Sequence, residues 1–132
     1  MAKLHVVALG GRLKGWAREA RDDYLRRMPR GYAVACGATL PRDARLIALD
    51  ERGREFSSVE FSREMEHWMR ERSPIAFVIG GADGLDGNIK AKASLLLRLS
   101  PLTLPHALAE VVLCEQLYRA ATLLTGHPYH RG

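Results

Sequence analysis

The segment LSPLTLPH, residues 99–106, is a short apolar stretch that two prolines interrupt. Pro101 and Pro105 each lack a backbone N–H and have a fixed φ, so they oppose a regular helix or a central strand. The segment lies between two patterns that predict helices, and we therefore expect a stiff loop there. Its free amides could hydrogen-bond a flat ligand while its leucines cover the faces of that ligand.

Two other segments combine with this loop. GGADG, residues 80–84, follows an apolar run, and the tail GHPYHR covers residues 126–131. The glycine spacing fits neither a dinucleotide-binding fingerprint nor a P-loop. A tight strand-to-helix turn explains the glycines at least as well as a ligand loop does, so both interpretations stay open from the residues alone.

Composition limits the class of protein. With 132 residues, 47% of them hydrophobic and 27% charged, the sequence predicts one globular domain over residues 1–132. Neither a membrane span nor a signal peptide is visible, and the cysteines, Cys36 and Cys114, lack metal-site or redox spacing. We therefore expect a cytoplasmic protein in which both thiols are reduced and packed as small apolar groups.

A net charge of +5 favours polyanionic partners, nucleic acid first.

The hydrophobic pattern predicts strands that alternate with helices, which indicates an α/β domain with a mainly parallel sheet flanked by helices. In such sheets, ligands bind beyond the carboxyl ends of the strands. The glycine loop, the 99–106 segment and Leu49 all fall at predicted strand ends. Strands are predicted at 4–9, 44–50 and 75–79, with a possible short one at 32–36, and helices at 14–28, 57–72, 86–97 and 107–125.

Several features allow two interpretations. Arginines on one face of the first helix fit solvation slightly better than RNA contact. The last helix has a broad apolar surface, which fits either a well-buried helix or one that packs partly on a second subunit.

Three histidines, His106, His127 and His130, fit no standard zinc spacing, so we expect no metal site. No arrangement of nucleophile and base is visible, and covalent catalysis is not expected.

Four motifs in this order resemble the ribosomal RNA large subunit methyltransferase H family, a member of the SPOUT class. They are FVIGGADGL at 77–85, LSPLTLPH at 99–106, EQLYRA at 115–120 and GHPYHR at 126–131. The resemblance is strong from Leu46 to Arg131 and fair over residues 3–29. The family has a longer segment where this chain has residues 30–43, so we expect the sheet edge and part of the RNA-facing surface to differ there.

The resemblance implies an α/β knot with a C-terminal trefoil knot, which topology rules alone would not propose because threaded chains are rare. It also implies a homodimer that uses S-adenosylmethionine to methylate N3 of a pseudouridine in 23S rRNA of the assembled ribosome. By resemblance, the residues that hold the cofactor are Leu49, Gly80, Gly81, Leu99, Ser100, Pro101, Leu102, Thr103 and Leu104.

The tail then falls on the substrate side. We expect Tyr129 to stack on the base, Arg131 to contact phosphate or a base carbonyl, and His130 to accept the proton, since imidazole titrates near neutral pH. The tail could act across the dimer, beside the cofactor of the partner subunit, but the sequence does not decide which subunit supplies it. The alternatives are a tail that only packs on the fold, a non-enzymatic RNA- or ribosome-binding module, and an enzyme of the same class that acts on tRNA.

Overall fold

The computed structural model of the chain describes residues 2–131, and for His130 and Arg131 the backbone only. Within these residues no helix has the length and apolar character needed to cross a membrane. The elements in chain order are β1 (Leu4–Ala8), α1 (Gly15–Arg26), β2 (Val34–Gly37), β3 (Arg45–Glu55), α2 (Ser58–Met69), β4 (Ile75–Ile79), α3 (Gly87–Lys92), β5 (Leu95–Arg98), α4 (His106–Thr125) and a 3-10 turn (Pro128–Arg131).

The five strands form one parallel sheet in the order β2-β1-β4-β3-β5. The central strand, β4, is buried over its whole length, as its uninterrupted apolar sequence predicts. All three long predicted strands exist, and the predicted α/β class with a mainly parallel sheet is confirmed. Strand order does not decide whether the chain is knotted, and the knot stays a prediction.

The larger core lies between the sheet and helices α2 and α4. Phe77 of the central strand packs against Phe61 and Trp68 of α2, with ring centroids 6.2 and 5.7 Å apart. On the other face, small residues such as Ala48 and Ala76 are covered by α3 and by the segment between β2 and β3. That segment contains no helix, in keeping with the short run expected at 30–43.

Local signals set the ends of two helices. Ser57 Oγ accepts from the backbone N–H of Glu60 at 3.1 Å, and the Glu60 carboxylate accepts from the N–H of Ser57 at 2.8 Å, so the predicted capping box is confirmed. The helix that it begins ends at Met69, three residues before the predicted end at Arg72. Gly126 ends α4 with a φ of 76°, a conformation that glycine adopts without a steric penalty.

Two predicted boundaries are wrong. The helix predicted over 86–97 ends at Lys92, and Leu95–Arg98 is an edge strand, so the 99–106 loop joins a strand to a helix. The strand predicted to close near residue 51 continues to Glu55 through a bulge, in which Leu49 and Arg54 both lie opposite Leu97.

The first helix also differs from its prediction. Trp16 is 64% exposed instead of lying on the buried stripe. The arginine face is partly paired, since Arg21 Nη1 lies 2.7 Å from Glu110 Oε2, a carboxylate that is buried on α4. Of the two free thiols, Cys114 is buried as expected, whereas Cys36 is exposed on the edge strand β2.

Candidate functional site

The carboxyl ends of β3, β4 and β5 border one cavity of about 730 Å³. Its size is typical of a pocket for a small ligand or cofactor. Most of the residues proposed from the resemblance line this cavity, and Pro101 does not. Those that do are Leu49, Gly80, Gly81, Leu99, Ser100, Leu102, Thr103 and Leu104.

The glycine loop is shaped by its own backbone contacts. A Cβ atom on Gly80 would collide with the backbone of Gly84, and one on Gly81 would lie 2.9 Å from the Cα of Gly10. The backbone N–H of Gly84 closes the turn by donating to the carbonyl of Gly81 at 2.9 Å. The turn therefore needs these glycines whether or not a ligand binds, and their lack of side chains leaves backbone at the cavity wall.

The proline-bounded loop is held by side chains as well as by its prolines. Arg98 Nε donates to the carbonyl of Ser100 at 3.0 Å, and Ser100 Oγ accepts from the N–H of Leu102 at 2.9 Å. The amide of Leu102 is therefore already in use, which leaves fewer free amides for a ligand than the sequence suggests. The Leu102 side chain is 75% exposed, so an apolar ligand could bury it.

Asp50 places a carboxylate at the cavity wall, where it is paired with Lys90. Its side chain is only 7% exposed; one carboxylate oxygen accepts from Lys90 Nζ at 2.9 Å and the other from the N–H of Arg52 at 2.7 Å. These donors, the lysine first, hold the pKa of Asp50 below its usual value. Two donors leave part of the acceptor capacity of the carboxylate for a cationic or hydroxyl-bearing ligand.

The Tyr129 side chain is docked on α4. Its hydroxyl donates to Glu115 at 3.0 Å, its ring packs edge-on against Tyr118 at 4.6 Å, and the Arg119 guanidinium lies 5.0 Å from the ring centroid. Burial, reinforced by the bond to Glu115, raises the pKa of Tyr129, so the phenol stays protonated. Tyr129 does not line the cavity. The side chains of His130 and Arg131, the other two proposed catalytic residues, lie outside the described part of the chain.

The sequence did not single out Asp50 and Lys90 as cavity residues, whereas His106 belongs to the 99–106 segment that it did single out. Asp50 could have been found, because it directly follows Leu49 at a predicted strand end. The Asp50–Lys90 ion pair joins residues 40 positions apart, which no local pattern reveals.

In residues 2–131, as far as their side chains are described, no three His, Cys, Asp or Glu residues lie close enough to hold a metal ion.

Comparison with known proteins identifies the family. Residues 33–130 match the family model described as "Predicted SPOUT methyltransferase". The chain is 40% identical to the ribosomal RNA large subunit methyltransferase H of Burkholderia thailandensis, over 98% of this chain and 99% of that protein. The chain belongs to this family. The ribosomal RNA large subunit methyltransferase H proteins (family H) of Paraburkholderia phymatum and Paraburkholderia xenovorans are 40% and 39% identical to this chain, with the same coverage.

Solved structures agree on the fold. A probable methyltransferase from Bordetella pertussis Tohama I superposes with a TM-score of 0.61 at 13% identity, covering 89% of this chain and 93% of its own. A probable methylase family protein from Haemophilus influenzae Rd KW20 gives a TM-score of 0.66 at 13% identity, covering 97% of this chain and 70% of its own. At this identity the likeness concerns the fold alone.

The family H relatives are longer than this chain. The alignments span 154 positions and the chain has 132 residues, so at least 22 positions have no counterpart here. The connection from Gly37 to Arg45 is short and contains no helix, although it runs from the edge strand β2 past β1 and β4 to β3. This short connection fits the difference in length.

Proposed function

We propose that this protein transfers a methyl group from S-adenosylmethionine to N3 of a pseudouridine in 23S rRNA of the assembled ribosome, in the cytoplasm. Membership of the family H methyltransferases supports the reaction class. The observation that carries the proposal furthest is that Leu49, the glycine loop and the 99–104 loop line one cavity although they are far apart in sequence.

The cavity residues fit the proposed cofactor. Leucine side chains, with Leu102 the most exposed, would cover the two faces of the adenine. The backbone at Gly80 and Gly81 admits the ribose and methionine portions without a side-chain clash. The acceptor capacity that Lys90 and Arg52 leave on the Asp50 carboxylate suits the hydroxyl groups of the ribose. When bound, the cofactor supplies a methyl group whose leaving group is neutral and needs no acid.

The remaining tasks are to position the base and to remove its proton. The attacking nitrogen must be held about 3–3.5 Å from the methyl carbon. In the proposal Tyr129 stacks on the base, Arg131 contacts phosphate or a base carbonyl, and His130 accepts the N3 proton as general base. The raised pKa of Tyr129 keeps its phenol protonated, so Tyr129 is not proposed as the proton acceptor.

A homodimer would bring the tail to a cavity. Tyr129 packs against Glu115 and Tyr118, more than one helical turn beyond Ala109, the last residue of α4 at the cavity. Half-buried apolar residues on α4, namely Leu108, Val112 and Leu123, are candidates for the contact with a second copy. We therefore propose that the tail of one subunit serves the cavity of its partner.

A methyl-transfer assay tests the proposal. Labelled S-adenosylmethionine is incubated with 70S ribosomes, free subunits or tRNA, and the modified nucleoside is identified by mass spectrometry. We expect N3-methylpseudouridine from 70S ribosomes alone. Methylation of tRNA only would indicate the rival substrate, and absence of binding heat with S-adenosylmethionine in calorimetry would indicate a non-enzymatic RNA-binding module.

A further inference from the structure

Trp16 is a large apolar side chain that the fold leaves on the surface. It is 64% exposed, whereas the other tryptophan, Trp68, is 6% exposed in the core. Its neighbours Leu13 and Ala17 make the contact with α4 instead, in a cluster with Val111. Trp16 is therefore not required to hold α1 in place.

The segment that carries Trp16, residues 9–16, begins beside the glycine loop that lines the candidate cavity; we call it the rim segment. The backbone N–H of Leu9 donates to the carbonyl of Ile79 at 2.9 Å, directly before the glycine loop. Gly10 packs so closely on Gly81 that a Cβ at either position would clash. Beyond it, the segment packs on the first turn of α4, which also lines the cavity.

The rim segment is positively charged around its exposed ring. Arg12 and Lys14 are exposed, and within the described residues neither forms an ion pair or a side-chain hydrogen bond. Among the described residues Arg18 pairs with Asp22 at 3.8 Å, and the first turn of α1 carries no acidic residue; the nearest following one is the exposed Glu19. The positive charge next to Trp16 is therefore available to an anionic partner.

An exposed aromatic ring beside exposed cations suits single-stranded nucleic acid, in which bases stack on rings and phosphates pair with lysine and arginine. An apolar protein surface would cover the ring but would take Arg12 and Lys14 out of water without pairing them. We infer that the rim segment docks single-stranded RNA, with a base near the target stacked on Trp16 and phosphates held by Arg12 and Lys14. This inference rests on the proposed RNA substrate.

Intrinsic fluorescence tests the inference in the full-length protein, because only one of the two tryptophans is exposed. The probes are a 12-nucleotide mixed-sequence RNA and heparin, a polyanion without bases. We expect the RNA to quench the emission of Trp16, and heparin to bind without quenching. Affinities are measured by the fluorescence anisotropy of a dye attached to each probe, because Trp16→Ala removes the intrinsic reporter. Trp16→Ala is expected to weaken RNA binding about tenfold, as loss of one stacked base would, to leave heparin binding unchanged, and to keep the wild-type melting temperature.

Two variants sharpen the comparison. Val59→Ala removes an exposed apolar side chain from the start of α2 and is expected to bind RNA as the wild type does. Arg12→Gln is expected to reduce the slope of log K against log salt for the RNA by about 0.7, the value for one phosphate contact on a single strand.

Two results would overturn the inference. One is wild-type RNA affinity in Trp16→Ala. The other is protection of Trp16 from iodide quenching in the RNA-free protein at the concentrations used, since a second copy of the chain would then cover the ring. Calorimetry with S-adenosylmethionine is run alongside. Lack of cofactor binding by the wild type would contradict the proposed function and leave the fluorescence result interpretable.

Discussion

Asp50 is the carboxylate that the end of β3 presents to the cavity, and folding changes its acidity. Lys90 and the backbone N–H of Arg52 stabilise the ionised form, so its pKa lies below the usual 3.8. A lowered carboxyl pKa contributes stability at neutral pH that is lost as the pH falls through the folded-state value. The residue therefore contributes to the fold as well as to the charge of the site.

Asp50→Asn is expected to lower the free energy of unfolding by about 1–2 kcal/mol at pH 7, because the hydrogen bond to Lys90 loses its charge. Urea denaturation at several pH values measures this difference. It should shrink as the pH falls below 3.8, since the wild-type carboxyl then becomes neutral as well. Asp83→Asn, an exposed carboxylate at the same cavity, serves as the control. An equal loss at pH 7 and pH 3 would contradict the ion-pair explanation.

His130→Ala tests the proposed general base. We expect the methylation rate on 70S ribosomes to fall by about 10²- to 10⁴-fold, the usual contribution of general base catalysis, with cofactor affinity unchanged. His67→Ala, on the exposed face of α2, is the matched control. If both variants lose the same activity, the base reacts without a dedicated proton acceptor on the tail.

At the scale of elements, the bulge in β3 shapes one wall of the cavity. Residues 50–53 loop out between Leu49 and Arg54, which brings Asp50 and Glu51 to the cavity. Gly53 closes this bulge against β5, where a Cβ would lie 2.5 Å from the carbonyl oxygen of Leu96. Only glycine allows the two backbones to approach so closely.

Gly53→Ala is therefore expected to destabilise the protein by roughly 2 kcal/mol or more and to weaken S-adenosylmethionine binding, as measured by denaturation and calorimetry. Gly87→Ala is the control, because a Cβ at Gly87 meets no atom within 4 Å and alanine favours a helix. A Gly53→Ala protein as stable as the wild type would mean that the bulge can relax without disturbing the cavity.

The sequence predicts elements well where local chemistry decides them. The apolar run at Ile75–Ile79, the Ser57 cap and the Asp86 cap are examples, and Asp86 accepts from the N–H of Ile89 at 2.9 Å. The sequence-based prediction fails at Leu95–Arg98, because a short apolar run after a helix is compatible with a continued helix or with a strand. The ion pair between Asp50 and Lys90 depends on tertiary contacts that no periodicity encodes.

At the scale of the molecule, the sheet brings the β3 bulge, the glycine loop and the 99–104 loop to one edge. The α4 helix places the tail away from these loops. The cavity reaches only the first turn of α4, and Tyr129 is docked near its middle by Glu115, Tyr118 and Arg119. A tail that serves its own cavity would have to span more than one helical turn, from these contacts back to Ala109. A tail that serves a second copy could keep them, which is why the two halves of the proposed site are expected to come from different chains.

Mixing two inactive variants tests this arrangement. Leu102→Arg is expected to block the cavity from an exposed position without unfolding the protein, and His130→Ala removes the proposed base. Each variant alone is expected to be nearly inactive on 70S ribosomes. If equal amounts are unfolded and refolded together, half of the dimers are mixed. Each mixed dimer then holds one site with an intact cavity and an intact tail, so activity should return to about one quarter of the wild-type value. No recovery, with mixed dimers verified by differential tagging, would mean that each tail serves the cavity of its own chain.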